Sequence, residues 1–213
     1  MDLLQSAYQY YLENQDTFWE AMQRHLALSL SSLGIAIALC IPLGILISRR
    51  INIAEYIINV FNGFRVVPSL VILFLALPYL GLGFRPALVA LTVLACPPVL
   101  INTYAGLRSV DRSVVEAARG VGMSAAQILW RIELPLALPA IIAGIRTAAV
   151  EVIASATLAA FIGGGGLGNF LTRGYALNDP KIMLVGAIPV ALLAIVSELI
   201  LSSVQRLSST PTA

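Results

Sequence analysis

Charge is scarce in this chain of 213 residues: Lys and Arg number 13, Asp and Glu 11, and charged residues make up 11%. Soluble domains carry about 25%, so a globule of this size could not be clothed in a polar shell. Lysine is nearly absent, with Lys181 alone, and the net charge of +2 gathers into no basic tract, which excludes the footprint of a nucleic-acid binder. One histidine occurs, His25, in no H-E-x-x-H or Ser-His arrangement, so the usual general base of a hydrolase is missing. It reads as an interfacial residue ahead of the first apolar run. Cys40 and Cys96 lie inside apolar runs and read as small hydrophobes rather than a disulfide framework or metal cluster. No G-x-x-x-x-G-K-[ST] loop exists, so the chain holds no phosphate-binding site of its own for ATP. Gly163, Gly165 and Gly168 satisfy G-x-G-x-x-G, but no strand precedes them and no acidic residue follows about 20 positions on. A mobile loop between two spans is the expected structure there.

What the chain has is apolar length: 59% of residues are hydrophobic and the mean hydropathy is +0.89. Crossing about 30 Å of hydrocarbon takes about 20 apolar residues as a helix. Five stretches qualify, at about 26–48, 66–82, 87–107, 136–162 and 183–204. The expected class is an all-α integral membrane protein. Prolines 42, 97, 98, 139 and 189 imply kinks within these spans rather than ends, because neighbouring helices can satisfy the freed carbonyls. Residues 52–65 are too polar to span and are expected to form a short helix along the inner surface, leading into the second crossing.

Cytoplasmic loops collect Lys and Arg. With the N-terminus outside and the C-terminus inside, eight arginines (49, 50, 65, 108, 112, 119, 131 and 206) face the cytoplasm, against Arg24, Arg85, Arg173 and Lys181 outside. Residues 1–25 carry no positive n-region. Their aromatics suit either an outer interfacial helix or an amphipathic tail packed on the bundle. The last residues, 207–213, form a cytoplasmic tail.

The longest inner loop, 108–135, reads as a helical hairpin. Ser113 with Glu116, and Ser124 with Gln127, each have capping-box spacing, and Gly120-Val121-Gly122 supplies the turn. Its apolar residues, Val114 to Val121 and Ile128 to Ile132, either fold back on the spans or form a docking knob for a soluble partner. Within the spans, Arg146, Glu151 and Glu198 each cost about 2.5–3.5 kcal/mol at mid-depth. Thr147, Glu151 and Ser155 recur every four residues as a polar stripe. That stripe lines a central pathway or, alternatively, these groups make structural contacts such as Arg146 with Glu198. Ala140, Gly144 and Ala148 form a small-residue stripe suited to close helix packing.

The string Glu116-Ala117-Ala118, three residues, Gly122, nine residues, then Ile132-Glu133-Leu134-Pro135 resembles the EAA loop of membrane subunits of ATP-binding-cassette importers. The resemblance runs from about His25 to about Leu201. It implies a five-span type I importer permease fold like that of methionine permeases, with a cytoplasmic coupling-helix hairpin. By that resemblance Glu116, Ala117, Ala118, Gly122, Ile132, Leu134 and Pro135 meet a separate ATPase subunit. Pro42-Leu43-Gly44-Ile45, Val67-Pro68-Ser69-Leu70, Ala156 to Gly168, Asn178-Asp179-Pro180 and Gly186 to Pro189 are similar to osmoprotectant permeases, which import glycine betaine, choline or carnitine. The implied partners are the ATPase, a second permease subunit, an extracytoplasmic binding protein and membrane lipid. The implied location is the cytoplasmic membrane, and no cofactor is expected on this chain. A methionine-type importer and a passive channel subunit are the alternative functions.

Overall fold

The computed structural model describes residues 3–208, and every regular element among them is helical. In chain order they are α1 (Leu3–Glu13), α2 (Gln15–Ser48), α3 (Ile51–Val66), α4 (Ser69–Leu80), α5 (Phe84–Arg108), α6 (Arg112–Gly120), α7 (Ala125–Ile128), α8 (Leu134–Ser155), α9 (Gly168–Ala176) and α10 (Pro180–Ser208). A π-helical turn, Leu129–Glu133, joins α7 to α8, and a 3-10 turn, Leu158–Ile162, follows α8. Residues 1–2 and most of the expected C-terminal tail, 209–213, lie outside the described residues.

The bundle is built around α5, with α2 and α8 packed along it. Lipid is as apolar as leucine, so helices associate through close van der Waals packing of small residues rather than by hydrophobic exclusion. That is what the α5 contacts show. Gly44 sits on Thr103, Gly106 on Ala137 and Ala140, and Gly144 on Asn102 and the Pro98 carbonyl, where a Cβ would come within 2.6 Å. The Ala140, Gly144, Ala148 stripe is thus the face α8 turns to α5. Pro42, Pro97, Pro98, Pro139 and Pro189 all lie inside helices, and Asn102 Nδ2 donates to the Pro98 carbonyl at 2.8 Å.

Four helical segments are long and apolar enough to cross a membrane: Gln15–Ser48, Phe84–Arg108, Ala125–Ser155 and Pro180–Ser208. The second expected span differs. Its helix α4 has 12 residues, about 18 Å at 1.5 Å per residue, too short to cross alone. It forms a bent pair with α3, with 99° between Ile53–Val66 and Ser69–Leu80. The cause is Pro68: Val67 before it is extended at φ −75°, ψ 123°, as a residue preceding proline must be to avoid the ring. The break faces Leu94 and Pro97, in the middle of α5. Helix α3 also packs against α5. Arg65, grouped from sequence with the loop arginines, stands level with the middle of a spanning helix.

Further expectations are met differently. Residues 15–25 belong to the same uninterrupted helix as the first span, leaving only α1 as a separate N-terminal element. It packs on α10, with Ala7, Tyr10 and Tyr11 against Phe18, Ile182 and Val185. The fourth span stops at Ser155 rather than 162, and the glycine run after it is a tightly packed plug, not a mobile loop. Gly164 to Gly168 are buried, Arg24 Nε donates to the Gly164 carbonyl at 2.8 Å, and the Arg24 guanidinium lies 5.8 Å from the Phe84 ring centre. His25 is fully buried within the bundle. Its Nε2 lies 3.1 Å from the Ile153 carbonyl, which can only accept, so that nitrogen carries the proton.

At Gly168 an added Cβ would fall 2.0 Å from the Thr157 carbonyl oxygen. Backbone cannot retreat as a flexible side chain can. Gly168→Ala is expected to destabilise the chain by about 1–3 kcal/mol, the usual cost of overpacking, read as a lower thermal midpoint in detergent. An unchanged midpoint would show that the loop has slack the packing does not suggest.

Candidate functional site

Two regions bring polar groups together: the hairpin between α5 and α8, and the cavity at the α3–α4 break. The hairpin's first limb is α6. Its N-cap is Asp111, whose carboxylate accepts from the Ser113 amide at 2.8 Å, so the expected Ser113–Glu116 capping box does not form. An aspartate two residues earlier, in extended conformation, captures the amide first. Donation from the Ser113 amide and hydroxyl holds the Asp111 carboxyl below its ordinary value. Glu116 is left exposed. The second box does form: Gln127 N donates to Ser124 Oγ at 3.3 Å and Ser124 N to Gln127 Oε1 at 2.8 Å.

Between the limbs the Met123 amide donates to the Ala118 carbonyl and the Gly122 amide to the Arg119 carbonyl. This is the Schellman pattern, with Gly122 as its left-handed residue at φ +84°. The second limb is not a free helix. Helix α7 has four residues and continues through the π turn into α8, so the hairpin is the rigid foot of a spanning helix. Of the motif residues, Glu116, Ala117, Gly122 and Pro135 are exposed, Ile132 and Leu134 half-buried, and Ala118 buried. Val121 at 81% and Trp130 at 68% exposure have no cover.

Sequence reasoning missed what anchors this foot. Glu133, in the π turn, is buried and forms a two-pronged ion pair with Arg49 at the end of α2, Nη1 donating to Oε1 at 2.9 Å and Nη2 to Oε2. The available signal was an acid flanked by Ile132 and Leu134, with an Arg-Arg pair closing the first span. A cavity of about 300 Å³ opens behind, bounded by Arg49, Arg108, Arg112, Glu116, Arg119 and Glu133.

The second region is a cavity of about 320 Å³ where α3, α4, α5 and α8 meet, lined by Phe64 to Ser69, Leu94, Pro97, Glu151 and Ser155. The expected polar stripe is divided by it. Glu151 and Ser155 line the cavity; Thr147 is not among its lining residues, and its hydroxyl donates to the Ala143 carbonyl at 3.1 Å. Arg146 and Glu198 make the structural contact instead, Nε to Oε1 at 3.1 Å, with Arg146 Nη1 also donating to Gln205 at 2.9 Å. Among the described residues no group of three His, Cys, Asp or Glu is placed to hold a metal.

Helices long and apolar enough to cross a membrane, packed around a proline-rich central helix with a rigid loop foot exposed at one end, define an all-helical membrane bundle. The profile of binding-protein-dependent transport system inner membrane components matches residues 40–209, and the chain belongs to that family. It is 42% identical over 196 residues to the carnitine transport permease of Listeria monocytogenes, covering 92% of this chain and 90% of the relative. It is 42% identical to the choline transport system permease of Bacillus subtilis, covering 85% and 84%. The osmoprotectant import permease of Salmonella typhimurium is 41% identical, with 84% and 77% covered. Among solved structures, the methionine ABC transporter in an inward-facing conformation superposes with a TM-score of 0.81 at 21% identity, over 92% of this chain and 98% of that one. That likeness shows the fold.

Proposed function

We propose that this chain is the permease subunit of an ATP-driven importer for quaternary-ammonium osmoprotectants such as glycine betaine, choline or carnitine. The observation that carries the coupling role is the construction of the hairpin. Glu116, Ala117, Gly122, Val121 and Trp130 are presented to solvent on a foot continuous with α8 and bolted to α2 by Arg49 and Glu133. Force applied there by a soluble ATPase would pass without slack into α2 and into α8, which lines the cavity at the span break. A rigid apolar helix face of this kind fits a groove in a partner. Relatives named for carnitine, choline and osmoprotectant transport at 41–42% identity support the substrate class.

In this reading the hairpin end, with Arg49, Arg50, Arg108, Arg112, Arg119 and Arg131, faces the cytoplasm as the positive-inside rule requires. The N-terminus and the glycine plug face outward, where an extracytoplasmic binding protein delivers solute. Five crossings enclose too little for a route, so two permease subunits surround it. Glu151 and Ser155 border the route beside the span break, and Arg146 with Glu198 holds α8 to α10.

Cells lacking this gene are expected to lose ATP-dependent uptake of labelled betaine, choline or carnitine, and to regain it on complementation, with excess methionine failing to compete. A methionine uptake defect in its place would keep the coupling foot and discard the substrate class.

A further inference from the structure

Helical spans seldom break at membrane depth, because nonhelical backbone there is tolerated only where it borders protein or a water-filled cavity. The Val67–Pro68 break meets that condition: it opens on the 320 Å³ cavity beside Leu94 and Pro97. Two side chains of opposite charge line this one space, Arg65 from the end of α3 and Glu151 from α8. They are not joined by an ion pair, in contrast to Arg49 with Glu133, Arg146 with Glu198, and Lys181 with Asp179. Arg65 is exposed and Glu151 half-buried, so both charges are open to a solute that enters the space. Ser69 and Ser155 also line it. Many helical hydroxyls in this chain donate to their own helix, as Ser32, Thr92, Thr103 and Thr147 do. Phe64 is the aromatic residue among those lining the space.

A carboxylate and an aromatic face suit a quaternary ammonium, which offers no N–H and is held by charge and by the ring quadrupole. A guanidinium suits a carboxylate, to which it donates through two parallel N–H groups. We propose that this cavity is a transit site for a zwitterion carrying both groups, with Glu151 and Phe64 facing the ammonium end and Arg65 and the serine hydroxyls the carboxylate end. The site deepens the importer reading and rests on it. It also makes Arg65 a specificity residue, because a solute with the ammonium alone, such as choline, has nothing to offer it.

The test uses the complete transporter in cells, with membrane abundance of each variant measured by immunoblot. Uptake of labelled glycine betaine and of labelled choline is recorded at saturating concentration. Arg65→Gln is expected to raise the choline-to-betaine uptake ratio about tenfold, equivalent to about 1.4 kcal/mol. Glu151→Gln is expected to depress both solutes, and Glu151→Asp to recover part of each. A variant that is merely less stable lowers both uptakes alike and leaves the ratio where it was, so an unchanged ratio in Arg65→Gln overturns the proposal, as does full uptake in Glu151→Gln. Wild-type cells that take up neither solute in an ATP-dependent manner would instead overturn the importer reading, a result separable from either variant outcome.

Discussion

Replacing Gly122 by aspartate is expected to abolish ATP-driven uptake while leaving the chain in the membrane at normal abundance. Gly122 lies at φ +84°, and a residue with a Cβ pays about 1–2 kcal/mol to stay there. A Cβ would meet nothing within 4 Å, so the folded bundle does not reject the side chain by collision. The damage is local. It falls on the turn that sets α6 against α7, and on the face the foot presents, where a carboxylate would enter an apolar docking surface beside Val121. Asparagine separates the two effects, because it tolerates the left-handed region and carries no charge. Gly122→Asn is expected to keep a substantial part of the uptake, and Gly122→Val to lose it for backbone reasons alone. Co-purification of the ATPase reads the docking directly. ATP-driven uptake retained in Gly122→Asp would remove the coupling role from this hairpin.

Arg49→Met is the second substitution with a large expected effect, on stability and on coupling together. It strands Glu133, whose side chain is 9% exposed, without a counter-charge in the π turn. Breaking a buried pair from one side costs about 3–5 kcal/mol. Arg49 is 45% exposed, so solvent already screens part of the attraction, and about 2 kcal/mol is the reasonable expectation after that discount. Glu133→Met should cost less, since the freed guanidinium can turn to water. The double variant should be milder than Arg49→Met alone, because two apolar side chains leave no buried charge unpaired. Thermal midpoints of the four proteins complete the cycle, and equal costs for the two single changes would contradict the asymmetry. The coupling readout is ATP hydrolysed per solute imported. This ratio is expected to rise in Arg49→Met and to fall back in the charge-swapped pair Arg49→Glu with Glu133→Arg.

The class of this protein was legible in its composition, because a chain with so few charges can satisfy its surface only against lipid. The apolar runs located the four long helices. The proline positions were correctly read as interior, and the Ser124 box and the Gly122 turn follow from residue chemistry acting over three or four positions. The hairpin motif was visible for the same reason, as a pattern of local spacing. Where expectation and structure part, the deciding contact is distant in sequence or the competition is between neighbours. Asp111 caps the helix because its carboxylate captures the Ser113 amide that Glu116 would have accepted from in the expected box. The glycine run looked like a flexible loop, and becomes a plug because Arg24 and His25, some 140 residues earlier, fill the space its missing side chains leave.

Sequence by itself determined that this chain is a bundle of membrane helices with a capped hairpin, since periodicity, turn chemistry and the cost of burying charge act locally and leave their marks in order along the chain. Tertiary structure alone decided that α4 stops short and bends at Val67–Pro68, that Arg65 and Glu151 line one cavity, and that Glu133 is bolted to Arg49. Those are facts of which helix lies against which, and close packing around α5 settles them between residues whose sequence separation carries no signal.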